Sequence, residues 1–196
     1  ESAAAARTEF ARDPRVRLLM ENGAGPAGPG AIGSAWELGY DAWPIRQVRP
    51  AWLYSGPNGT LLPEPPDEGA ATYPADPRAR PAQTLPGSGE ADAWKAQPPY
   101  RWAPLADGKG VGFVTGALPQ DVVIAGPSAV HLRLSSSARD TDLQVTLSEV
   151  RPDGNETYVQ NGWLRASHRR EQGGSTALAP RPTHLRQDAR PIPSGE

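Results

Sequence analysis

"SSSARDTDLQVTLSEVRPDGNETYVQNGWLRASHR", residues 135–169, decides the fold class. Within it, Leu143, Val145 and Leu147 alternate with Gln144, Thr146 and Ser148. That period of two belongs to a strand with one face buried and one wet. "RPDG" fits a type I turn with Pro152 and Asp153 central and Gly154 closing it. "ETYVQNGWLRAS" resumes the alternation, with a break expected at Asn161-Gly162. The stretch reads as a β-hairpin whose far end carries Arg165, His168, Arg169 and Arg170.

The same period runs upstream. In "AVHLRLS", 129–135, Val130, Leu132 and Leu134 face one way while His131, Arg133 and Ser135 face the other. "VGFVTG" (111–116) and "DVVIAG" (121–126) are short strands punctuated by Gly and Pro. Short strands, regular turns and no helical stretch predict a mainly-β antiparallel sandwich or barrel.

The N-terminal half is less regular. The Ala run within 1–14 predicts a short helix that stops at Asp13-Pro14, because a residue before Pro avoids the helical region. "RVRLLME", 15–21, has the length of a buried strand. Trp36, Trp43 and Trp52 follow, the last within an expected strand "AWLYS" (51–55). Asn58-Gly59 tolerates positive φ at both positions and should fold the chain back into "TLL". Residues 63–104 are so rich in Pro that neither helix nor interior strand survives there. Tyr73, Trp94, Tyr100 and Trp102 favour a strap over a surface rather than a free linker, since large aromatics gain most from being covered.

Composition narrows the classes. The chain has 196 residues with 21 glycines and 23 prolines, a level at which irregular segments are expected around a modest core. Six tryptophans argue against full disorder. A net charge of −2 provides no field for a polyanion, so neither nucleic acid nor an anionic membrane is an expected partner. No apolar run approaches the ~20 residues of a membrane span. Cysteine is absent, which excludes a disulfide framework, a thiolate nucleophile and a Cys-based zinc site. "ESAAAARTEF" and "PIPSGE" read as abrupt ends, and an open sandwich ending at Glu196 would leave an edge uncovered, so further strands are expected beyond it.

Candidate chemistry is thin. "GAGPAG", 23–28, spells G-x-G-x-x-G, but Pro26 and Pro29 sit where the phosphate-binding helix should run. No G-x-S-x-G elbow occurs, and "PGSGE" fails at both outer positions, so His131, His168 and His184 have no serine to serve. Asp140 and Asp142 with Glu149 or Asp153 could gather carboxylates for calcium, but an acidic turn at a strand start accounts for them without metal. His168 and His184 lack a third ligand for zinc. Asn58-Gly-Thr60 and Asn155-Glu-Thr157 spell the N-glycosylation acceptor, a pattern common by chance. No catalytic, cofactor-binding or metal residue is assigned. The cluster of Arg165, His168, Arg169 and Arg170 reads either as a carboxylate-binding contact with a partner domain or as a solvated strand end; a reactive centre is the weaker alternative.

"LSSSARDTDLQVTLSEVRPDG" followed by "GWLRASHR" resembles the C-terminal non-catalytic domain of the X-Pro dipeptidyl-peptidase and cocaine esterase hydrolases. Upstream, "PRVRLLMENG", "DAWP", "WLYSG", "GTL" and "YPADPRARP" follow in the matching order. The resemblance covers most of 14–196 and is strongest from 112 to 170. It implies an α/β-hydrolase domain bearing Ser, Asp and His, with a jelly-roll domain after it. By that implication, residues 1–50 are the tail of the catalytic domain. Residues 51–196 are then an incomplete jelly roll of galactose-binding-like type, with 63–110 as a strap within it. The triad would lie upstream of Glu1, leaving this chain inactive alone and without a cofactor. Its partners would be its own catalytic domain and, in the whole protein, a small ester or peptide substrate, with homo-oligomerisation left open. The alternative is a carbohydrate-binding or interaction module, with Trp163 or Trp94 as the sugar-stacking aromatic.

Overall fold

The computed structural model describes residues 2–20, 34, 36–76, 106–154 and 156–193, in two compact units, 1–126 and 127–196. Among the described residues the architecture is mainly β, made of small antiparallel sheets with little helix.

In the first unit, α1 (Ala3–Phe10) starts where Ser2 accepts a hydrogen bond from the Ala5 N–H at 3.2 Å. That side chain satisfies one of the donors every helix start leaves open. The last turn tightens through Asp13 N–H donating to Phe10 O at 3.1 Å, and Pro14 ends it. β1 (Val16–Met20) pairs antiparallel with β2 (Trp36–Tyr40). Val16, Leu18 and Met20 lie opposite Tyr40, Leu38 and Trp36 on one face, while Arg17 pairs with Glu37 on the other. The run at 15–21 is therefore a half-buried antiparallel strand, not one buried on both faces: Arg17 and Glu37 keep one side wet.

β3 (Tyr54–Ser55) and β4 (Leu61–Leu62) form the expected hairpin. Its turn holds Asn58 at φ 55° and Gly59 at φ 72°, the left-handed region that Asn and Gly tolerate best. Only Tyr54 and Ser55 of "AWLYS" are strand. Farther along, Lys109 reaches Asp76 at 2.6 Å. Trp94, Tyr100, Trp102 and "GAGPAG" lie outside the described residues.

The second unit is built on β5 (Asp142–Val150) and β6 (Glu156–Arg165). The turn between them is as read: Gly154 N–H donates to Arg151 O at 2.9 Å, with Gly154 at φ 82°. The expected break at Asn161-Gly162 does not occur; β6 runs through it. The irregularity lies between Leu147 and Ser148, where the partners step from Gln160 to Tyr158 and Val159 is the extra residue. A bulge of this kind exchanges the two faces of the strand beyond it.

Three expected strands are not paired as strands. In 111–116 only Val114 makes a bridge, to Thr60, and 121–126 and 129–135 carry no ladder. Alternation disposes a segment to extend, but a strand exists only once a neighbour accepts and donates its backbone hydrogen bonds.

Candidate functional site

The most highly connected polar cluster is built around Asp140, immediately before β5. Its Oδ1 accepts from the N–H of Thr141 at 3.0 Å and from that of Ser167 at 2.9 Å. The Ser167 hydroxyl also donates to it; this holds the carboxyl below the usual range against the opposing effect of burial, helped by the two N–H groups and by Arg165. One ladder step on, Asp142 and Arg165 face each other in register and form a two-pronged pair, at 2.7 and 2.8 Å. The Arg165 bonds lower the Asp142 pKa, and the same contact raises that of Arg165.

The chain returns to this point from farther along. Ser167 O accepts from Arg190 N–H at 2.9 Å, and Arg139 O from Ile192 N–H at 2.8 Å. The Arg169 guanidinium donates to Ala166 O at 3.1 Å, Arg190 O at 2.6 Å and Pro191 O at 3.3 Å. Arg170 pairs with Asp188 at 2.9 Å. Three passages, 139–142, 165–170 and 186–192, are thus tied together over Ala166, Ser167 and Ile192, which are buried.

The basic cluster is consequently neither a reactive centre nor a free receptor for a partner's carboxylate. Arg165, Arg169 and Arg170 already have acceptors within their own unit. The geometry also separates the histidines. His131 Nε2 lies 2.7 Å from Ala177 O, His168 ends the turn Ala166–His168, and His184 sits at φ 53° in a loop. The Ser167 hydroxyl faces a carboxylate, not an imidazole. Among the described residues no group of three His, Asp or Glu could hold a metal ion, and Asp140 and Asp142 have the partners just named. No helix is long and apolar enough to cross a membrane among those residues. Asn58 of the first glycosylation spelling lies in the tight turn Pro57–Gly59; Asn155 of the second is outside the described residues. An open cleft lined by Arg12, Asp13, Arg15, Tyr40 and Asp41 offers charge but neither Ser nor His.

Sequence reading did not anticipate the role of Ser167 or the three carbonyls around Arg169. The usable signal was Asp142 at one end of a hairpin and Arg165 at the other.

A chain with its polar groups committed to internal ties, and no nucleophile beside a base, suits a supporting domain. A model of the X-Pro dipeptidyl-peptidase C-terminal non-catalytic domain matches residues 8–192. The chain belongs to that family. Among curated proteins, the "Putative serine esterase Mb1866c" of Mycobacterium bovis is 29% identical over 167 residues, covering 80% of the chain. The "Putative serine esterase MT1883" of Mycobacterium tuberculosis matches to the same extent. The chain spans about a quarter of the length of these relatives, 25% of each. No solved structure gives a significant match.

The depressed carboxyls of this X-Pro dipeptidyl-peptidase C-terminal domain have a pH consequence. A lowered folded pKa contributes stability that is present above the unfolded value, ~3.9, and is lost as pH falls through the folded value. Melting temperature should therefore fall on acidification below about pH 4, and Asp140→Asn with Asp142→Asn should flatten that fall. Scanning fluorimetry across pH 7 to 2.5 checks it; an acid limb of unchanged slope in the double variant would contradict it.

Proposed function

We propose that the chain is the non-catalytic β-sandwich part of a serine hydrolase that cleaves an ester or amide. In this reading residues 1–50 are the tail of an α/β-hydrolase domain. Residues 51–196 belong to a jelly roll of galactose-binding-like type, with the Pro-rich 63–110 as its strap. An upstream Ser attacks the carbonyl, His moves the proton and Asp orients that His, while this part stabilises the catalytic domain and forms one wall of its pocket.

The supporting observation is apolar surface on segments whose backbone has no ladder. Val122, Ile124, Val130 and Leu132 are all exposed, Ile124 by 70%. Unpaired extended backbone with apolar side chains is what another polypeptide covers in a completed protein. The family match and the serine esterase relatives favour a hydrolase as that polypeptide.

Removing residues 51–196 from the whole hydrolase should lower its melting temperature by roughly 5 °C or more, since each lost kcal/mol moves a large domain by ~2–4 °C. Differential scanning calorimetry measures this. A truncated enzyme with the same melting curve and the same kcat/KM would refute the supporting role.

A further inference from the structure

The two faces of the β5–β6 ribbon differ in a way that family membership does not explain. Residues directly opposite each other in an antiparallel pair share a face. Leu143 with Leu164, Val145 with Gly162, and Leu147 with Gln160 therefore make one, largely apolar, face. The other carries the Asp142–Arg165 pair, Gln144 opposite Trp163, Thr146 bonded to Asn161 at 2.6 Å, and Ser148 bonded to Glu156 at 2.5 Å. Trp163 is thus the large apolar side chain in the middle of a polar face, and it is 66% exposed.

The Val159 bulge puts it there. Without the extra residue, Asp142 would pair with residue 164, and Trp163 would join Leu143 and Val145 on the apolar face. The ribbon has turned its largest side chain away from the side on which it could contribute to packing.

We propose that this face binds a neutral polysaccharide, with Trp163 as the plate on which a pyranose ring stacks. An indole face takes up the apolar C–H side of a sugar while its surroundings stay wet, the amphipathic use to which exposed aromatics are suited. Along the strand, same-face neighbours are ~7 Å apart, so Asn161 and Arg165 flank the ring and Gln144 lies across from it. Amide groups at that spacing suit hydroxyls on the stacked unit and the next. Asp142 and Arg165 neutralise each other, which disfavours a charged ligand. The face is open, so a chain crossing several ladder steps fits better than a single sugar. The inference does not depend on the hydrolase reading, and either can fail without the other.

The test is affinity electrophoresis of residues 1–196 through gels containing galactomannan, xylan, a soluble β-1,4-glucan or starch. At least one should retard the chain. Trp163→Ala should weaken retardation about tenfold, Trp163→Tyr should retain most of it, and Gln144→Ala should weaken it several-fold. Circular dichroism of Trp163→Ala should match the parent chain, because an exposed side chain contributes little to folding. Absence of retardation by all four polymers overturns the proposal, as does equal retardation of Trp163→Ala. Two further results assign Trp163 to another occupant and overturn it as well. One is self-association that Trp163→Ala abolishes in sedimentation; the other is binding by the chain that disappears when it is carried in the intact hydrolase.

Discussion

Residues 1–196 mixed with a p-nitrophenyl ester or an X-Pro anilide should release product no faster than buffer. Hydrolytic enzymes commonly exceed the uncatalysed rate by 10⁶-fold or more, so the expected difference from a whole hydrolase spans many orders of magnitude. The reason is geometric. Acyl transfer through serine needs a hydroxyl within hydrogen-bond reach of an imidazole that a third group orients. Ser167 is buried and directed to Asp140, and the His131 ring nitrogen lies 2.7 Å from the Ala177 carbonyl. Single His131→Ala, His168→Ala and His184→Ala variants should leave the background unchanged. Turnover by the chain that any of these substitutions removes would show that it carries chemistry of its own.

How far the sequence revealed this structure depends on which interactions are local. Both hairpin turns were legible, because Asn58-Gly59 and Pro152-Asp153-Gly154 carry their own backbone geometry. The helix stop before Pro14 was legible for the same reason. The face presented by Trp163 was not: one extra residue at 159 inverts it, and no local preference marks Val159 as a bulge. The strands expected at 111–116, 121–126 and 129–135 failed where alternation had to stand in for a partner. At the candidate site the residues were visible but their roles were not. Arg165, Arg169 and Arg170 looked like free charge because their acceptors come from Asp142, from 188 and from the carbonyls of 166, 190 and 191. Such pairings are settled by the return of the chain, which no window of sequence contains.

Ile192→Ala should be the most damaging single truncation in the second unit. Ile192 is 7% exposed, and its N–H donates to Arg139 O, so the side chain is held in place by its own backbone. Removing it leaves a cavity at the point where three passages meet, at a cost of about 2–4 kcal/mol. In a chain of this size that corresponds to a fall of roughly 5–15 °C in melting temperature. Ile192→Val, which deletes one methylene, should cost only ~1 kcal/mol. Ala166→Leu tests the same place by overfilling it: Ala166 is 5% exposed, and the added bulk should cost ~1–3 kcal/mol. Ile124→Ala supplies the contrast. At 70% exposure it should shift the chain's own stability by no more than ~0.5 kcal/mol. In an intact hydrolase that covers residue 124, however, the same substitution should cost well over 1 kcal/mol. Denaturant melts of the four variants in both settings measure the two kinds of apolar residue separately. An Ile192→Ala melt equal to that of the unsubstituted chain would mean that the polar ties around Asp140, not the packing beneath them, hold the three passages together.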